Sequence, residues 1–225
     1  MPVIGISAGR KNKVTESVVK AVLDGVNGDP TFVSLSGKLI RPCEACNGCV
    51  ATNRCVLDDD FLWAADQIRE SDALVFGAPN HFRHMNSKGL AFWERLCFSG
   101  RHNALFPLQG KPAAIVAIGG DRGAGKPVVE DLQRYFRDAR LDLVGHVEAQ
   151  GEYACFTCGY GNECAVGGFA SLYPLGTEIS DDNTPSIDNQ HPHLPGSPCH
   201  HGSLRDEAIE MGKAIARVLA CSDPG

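Results

Sequence analysis

Three apolar runs, at residues 3–6, 73–78 and 113–118, contain no alternating polar positions. Strands buried on both faces read this way, because crossover helices cover both sides of a parallel sheet. Between the runs the pattern turns helical. After Thr15, apolar side chains recur at Val18, Val19, Val22, Leu23 and Val26, which marks one face of a helix. Residues 31–35 read as a second strand, and Asp58, Asp59 and Asp60 offer the N-cap and first-turn carboxylates of a helix running to about residue 68. Further helices are expected at 88–96 and at 128–139, the latter with Val129, Leu132, Tyr135 and Phe136 turned inward. A fifth strand at 143–149 and a last helix at 204–220 complete the series. The expectation is one α/β domain over residues 1–225 with a five-stranded parallel sheet. Two stretches break its rhythm: residues 37–60, inserted in a βα connection, and 151–201, rich in Gly, Pro, Asn, Asp, Cys and His. A loop as long as the second is usually functional.

The first inserted stretch holds Cys43, Cys46, Cys49 and Cys55, spaced C-x2-C-x2-C-x5-C. Two-residue gaps let the backbone curl so that successive sulfurs point inward, and the longer last gap lets the fourth thiolate close the set. Iron–sulfur chemistry is the first reading. Structural zinc competes with it, as do uncoordinated or disulfide-paired thiols, because thiolate spacing alone does not choose the metal. Cys155, Cys158 and Cys164 form a second group, whose fourth ligand would be Cys199 or one of His191, His193, His200 and His201. A second metal centre is the hypothesis there, weighed against a Gly-rich lid that binds nothing. Cys97 and Cys221, each alone on an expected helix, read as packing or surface thiols.

Charge and hydropathy exclude some partners. The net charge of −6 is built from interspersed acidic and basic residues, without the basic stripe that phosphate backbones or anionic membranes require. No apolar run approaches the roughly 18 residues of a spanning helix, and the N-terminus opens on a strand pattern instead of a signal peptide. A cytoplasmic location is expected, where ten cysteines serve metal binding or redox chemistry more often than structural disulfides.

In an open parallel sheet, ligands bind beyond the carboxyl ends of the strands. Residues 7–15 leave the first strand with hydroxyls, amides at a helix N-terminus and Arg10, the parts of a phosphate site. Residues 78–86 bring Asn80, His81, Phe82, His84, Met85 and Asn86 to the same rim, suited to covering a planar ring. Phe82 and Met85 also read as core, and the two histidines as contacts, not acid–base catalysts. Residues 118–123 contribute Gly119, Gly120 and Gly123, with Asp121 and Arg122 between them, in a loop that lets backbone approach a ligand edge. Gly120-x4-Gly125-Lys126 imitates a nucleotide phosphate loop, but Pro127 follows it. Proline offers no hydroxyl for Mg2+ and fits the start of a helix, so ATP binding is rejected.

Taken in order, the segment from Gly5 to Thr15, the cysteine loop with Asp58, Asp59 and Asp60, and the segment from Asp72 to Pro79 make residues 1–150 resemble the flavodoxin-like NADPH-dependent FMN reductase superfamily. Within it, the compact cysteine motif resembles the iron–sulfur flavoprotein branch. The resemblance implies a doubly wound sheet of order 2-1-3-4-5. It implies FMN with its phosphate at Ser7, Arg10, Asn12, Val14 and Thr15. The ring would lie against Pro79, Asn80, His81, Phe82, Met85, Asn86, Gly119, Gly120 and Gly123. A [4Fe-4S] cluster on Cys43, Cys46, Cys49 and Cys55 would exchange electrons with the flavin, without a catalytic side chain. NAD(P)H as donor, a small acceptor or a ferredoxin-like redox protein as partner, and a homodimer or homotetramer follow from the same resemblance. Two other functions remain open at this point: an NAD(P)H-dependent FMN, quinone or nitro-compound reductase with structural zinc, and a redox sensor or carrier without turnover.

Overall fold

The computed structural model describes residues 1–120, 123–151 and 202–222. Asp121, Arg122, Cys155, Cys158, Cys164, Cys199 and the four histidines near Cys199 lie outside the described residues, so the second metal hypothesis does too. In chain order the elements are β1 (Val3–Ser7), α1 (Val14–Asp24), β2 (Thr31–Ser34), α2 (Asp60–Glu70), β3 (Ala73–His81), β4 (His84–Met85), α3 (Ser87–Gly100), β5 (Pro112–Gly119), α4 (Lys126–Asp138), β6 (Asp142–Gln150) and α5 (Gly202–Ser222). A short 3-10 turn, His102–Ala104, follows α3. Five strands run parallel in the order β2-β1-β3-β5-β6, and the two-residue β4 pairs antiparallel with β3.

The continuous apolar runs become strands whose residues alternate between two filled faces. Ile4, Ile6, Leu74, Phe76, Ala113 and Ile115 join one core; Val3, Ala73, Val75, Ala114 and Val116 join the other. The first core contains residues of α2, α3 and α4, the second residues of α1 and α5. Gly5 and Gly77 let α1 lie close over the sheet, since a Cβ on either would come within 2.8 Å of Val19. Of the three acidic residues ahead of α2, Asp59 is the N-cap and accepts from the Phe61 N–H at 3.1 Å. Proline in the first turn of α4 fits the expected helix start at Pro127.

Two local features differ from the expectation. Residues 78–86 do not form an open loop: β3 runs on to His81 and folds back as β4 through Phe82 and Arg83, whose φ angles are 53° and 66°. Two left-handed residues suit a tight hairpin, but such turns usually carry Asn-Gly or Asp-Gly, so nothing local announced this one. Helix α3 also runs four residues beyond the expected 96, and that extra turn carries Ser99 and Gly100 under the cysteine loop.

Candidate functional site

Register brings the carboxyl ends of the central strands level, with Ser7 beside Gly77 and Pro79 beside Ile118. The loops beyond them are tied together. Ala8 donates its N–H to the Gly77 carbonyl at 2.8 Å, and its own carbonyl accepts from Asn86 Nδ2 at 2.8 Å. Asn80 Nδ2 donates to the Ala124 carbonyl, which joins the loop after β5 to the same rim.

In the first loop, buried Ser7 accepts the Gly9 N–H at its hydroxyl (3.2 Å), and a Cβ on Gly9 would stand 2.4 Å from Thr15 Oγ1. Glycine therefore lets the loop close onto the first turn of α1. Arg10 and Asn12 are exposed, whereas Val14 and Thr15 are buried and anchor the turn. Asn12 adopts φ 55°, a left-handed conformation asparagine tolerates. The Asn12 N–H donates to Glu16 Oε2 at 2.7 Å, and the Lys11 N–H to Ser36 Oγ at 3.2 Å. Glu16, passed over in the sequence reading, is only 2% exposed, and its other oxygen accepts from Ser34 Oγ. A buried carboxylate thus holds an amide of the expected phosphate loop.

In the hairpin, Asn80 Oδ1 accepts the Arg83 N–H at 2.9 Å and pins the turn. Phe82 at its tip is 99% exposed. Met85, for which rim and core were both open, is 1% exposed and packs in the core against Gly89, and its N–H donates to Asp131 Oδ2 at 2.8 Å. Alternation explains the choice: once the hairpin forms, His84 and Met85 must point to opposite faces. His81 is held below the ordinary imidazole pKa by desolvation first and by the Arg10 guanidinium second, which places the hairpin beside the first loop. Asn86 Oδ1 is buried without a hydrogen-bond partner. Such an acceptor costs on the order of 1–3 kcal/mol, a cost removed when a ligand supplies a donor.

After β5, a Cβ on Gly119 would meet the Ala124 carbonyl carbon at 2.4 Å, so the chain folds back on itself tightly, and Gly123 takes φ 76°. The Gly119 carbonyl accepts from Gly151 at 2.7 Å and the Gly120 carbonyl from Gln150 Nε2 at 3.1 Å.

The cysteine loop lies over the carboxyl half of α3. Cys43, Cys46, Cys49 and Cys55 line one depression together with Arg95, Phe98 and Ser99. Among the described residues, no three His, Cys, Asp or Glu side chains are gathered closely enough to hold a metal ion. Three side chains that the sequence reading missed hold the loop in place. Asn53, with φ 54°, donates to the His102 carbonyl at 2.6 Å and to the Gly100 carbonyl at 3.3 Å. His102 Nε2 meets Cys49 Sγ at 3.3 Å. Arg95, fully buried, meets Cys55 Sγ at 3.3 Å through Nη2 and Asp59 Oδ2 at 2.6 Å through Nη1. Burial pushes the Cys49 thiol pKa up, and crowding by Cys55, Cys43 and Cys46 adds to it. Burial alone would raise Asp59 as well, but Arg95 and the amides of Arg41 and Phe61 outweigh it and hold the carboxyl below its usual range.

A sheet of order β2-β1-β3-β5-β6 with ligand-shaped loops on one edge invites comparison with known proteins. The family model for NADPH-dependent FMN reductase matches residues 1–149. The chain belongs to the NADPH-dependent FMN reductase family. It is thereby a flavoprotein of a family of flavin-dependent oxidoreductases with a flavodoxin-like fold. An iron–sulfur flavoprotein of Methanosarcina thermophila is 30% identical over 132 residues, covering 56% of this chain and 67% of that one. Another iron–sulfur flavoprotein, from Methanocaldococcus jannaschii, is 27% identical over 158 residues, covering 68% and 80%. Among solved structures, a flavone reductase superposes with a TM-score of 0.59 at 14% identity, over 98% of this chain and 63% of that one. That likeness is one of fold. No helix of the described residues is long and apolar enough to cross a membrane.

Proposed function

We propose that this FMN reductase family member is an iron–sulfur flavoprotein that passes electrons between a [4Fe-4S] cluster and FMN. The observation that carries the reading is the cysteine loop: four thiols around one depression, with Arg95 donating to Cys55 and the His102 ring nitrogen against Cys49. A zinc ion needs all its sulfurs at about 2.3 Å from a single point. A cubane cluster takes the same four thiolates, and the likeness to iron–sulfur flavoproteins favours it here. When bound, FMN supplies two-electron and one-electron chemistry, and the cluster supplies one-electron chemistry.

The residues present fit FMN. Asn86, whose Nδ2 holds the Ala8 carbonyl, stands at the rim, and the tight glycine turns at Gly9 and Gly119 bring backbone close to the same rim. Ser7, Arg10, Asn12, Val14 and Thr15 would form the phosphate side. Pro79, Asn80, His81, Phe82, Asn86, Gly119, Gly120 and Gly123 would form the ring side, with Met85 supporting them from the core. His81, whose imidazole pKa is lowered by desolvation first and by the Arg10 guanidinium second, would offer a hydrogen bond to a ring. NAD(P)H is the proposed donor and a small oxidant or ferredoxin-like protein the proposed acceptor, in a cytoplasmic homodimer or homotetramer.

An anaerobic visible spectrum with iron, sulfide, zinc and flavin quantified on one sample tests the proposal. About four iron per FMN with matching sulfide is the expected result. About eight would place a second cluster on Cys155, Cys158, Cys164 and Cys199, and flavin with zinc but no sulfide would overturn the proposal.

A further inference from the structure

We propose that Arg95 positions Cys55 and sets the reduction potential of the cluster by holding a fixed positive charge and an N–H donor against that ligand sulfur. The inference rests on the cluster reading and adds the residue that tunes it. Arg95 lies on the inward stripe of α3, at helical spacing with Phe92, Leu96 and Ser99, where an apolar side chain would be expected. Burying a guanidinium costs several kcal/mol of lost hydration unless its hydrogens are met.

Four of its five hydrogens are met in a directed way, and the Nε–H has no partner. Nη1 donates to Asp59 Oδ2 at 2.6 Å and to the Arg41 carbonyl at 3.1 Å. Nη2 donates to the Leu57 carbonyl at 3.2 Å and faces Cys55 Sγ at 3.3 Å. The guanidinium carbon sits 4.1 Å from the centroid of the Phe61 ring. Asp59, anchored as the N-cap of α2, fixes one terminal nitrogen, which leaves the other aimed at the sulfur. The Asp59–Arg95 pair therefore presents its positive end to the cysteine loop.

Reduction of a cluster brings in one electron and spreads the added negative charge over the ligand sulfurs. A donor and a positive charge at Cys55 stabilise that state more than the oxidised one and raise the potential. No proton accompanies the electron at this position, because arginine stays protonated.

Two measurements test the assignment. In wild-type holoprotein labelled with 15N-arginine and reduced with dithionite, pulsed EPR is expected to detect a weakly coupled 15N nucleus at the cluster; its absence overturns the proposal. In the double variant Asp59→Asn/Arg95→Gln, which removes the pair together, a redox titration is expected to show at least a tenfold shift toward the oxidised cluster, about 59 mV for one electron. Arg95→Lys, which keeps charge but not the fork, should fall between the double variant and wild type. An unchanged midpoint in a double variant with full iron and flavin overturns the role of Arg95 and leaves the cluster standing. Wild-type protein without iron and sulfide overturns both. If the double variant loses its iron, the labelled wild type decides.

Discussion

The two faces of the sheet are filled by different means. On the α1 and α5 side the core is aliphatic and built on close backbone approach: a Cβ on Gly25 would meet the Ile209 carbonyl oxygen at 2.0 Å, and one on Gly212 the Val22 carbonyl oxygen at 2.0 Å. On the α2, α3 and α4 side the core is aromatic, with Phe61, Phe76, Phe92, Trp93 and Phe136 in edge and stacked contacts, and it contains the Arg95–Asp59 ion pair. The cysteine loop lies on this second side. Close-packed helices give a firm wall whose buried carboxylate, Glu16, sits in the first turn of α1, whereas large rings leave room at their margin for a guanidinium held through both terminal nitrogens. The difference gives the cysteine loop to the aromatic face.

The largest effect that would break this comparison is expected from Arg95→Met. It leaves Asp59 buried with only Arg41 and the Phe61 amide beside it, and should cost about 3–5 kcal/mol in urea-unfolding free energy. A loss under about 1 kcal/mol would mean the aromatic face tolerates its charge without the pair. Next comes Gly212→Ala, whose methyl group would meet backbone, not a movable side chain. About 1–3 kcal/mol is expected, with iron and flavin content unchanged, because the damage stays on the aliphatic face.

A smaller effect concerns pH. The folded pKa of Asp59 is depressed, so its contribution is fully present above the ordinary carboxylate value of about 3.9 and is lost as pH falls through the lower folded value. Wild-type stability should therefore fall below pH about 4 more steeply than that of Asp59→Asn/Arg95→Gln, as followed by thermal melting across pH 2–6. The smallest effect sharpens the boundary between site and core. Burial raises the Cys97 thiol to about 12, which leaves it about one part in ten thousand thiolate at pH 8. Mass spectrometry after brief alkylation of native protein should find Cys97 unmodified while exposed Cys221 is labelled.

How far the site could be read beforehand depends on whether each signal was local. The Asp59 cap, the strand runs and the cysteine spacing announce themselves within a few residues, and the structure places the cap and strands where the pattern put them. The turn at Phe82 and Arg83 had no such mark. Met85 was left between rim and core because a loop imposes no alternation, and a hairpin does. Arg95 carried a weak signal, a charge on the buried stripe of α3, but a charge there normally reads as the edge of a wet face. Its burial depends on the cysteine loop folding over α3, where the Cys43 N–H donates to Glu94 Oε2 at 3.3 Å across 51 residues of sequence.

The sequence by itself determined a parallel sheet covered on both faces, the rim at which its loops meet and the thiols available to a metal, because periodicity, caps and spacing are properties of neighbouring residues; the strand order came from the family resemblance. Only the tertiary structure decided which sulfurs receive donors, that Glu16 closes onto the first loop, and that Asn86 keeps an unpaired acceptor. Those depend on groups far apart in the chain, which become neighbours only when burial removes water and leaves each polar atom to find its partner in the fold.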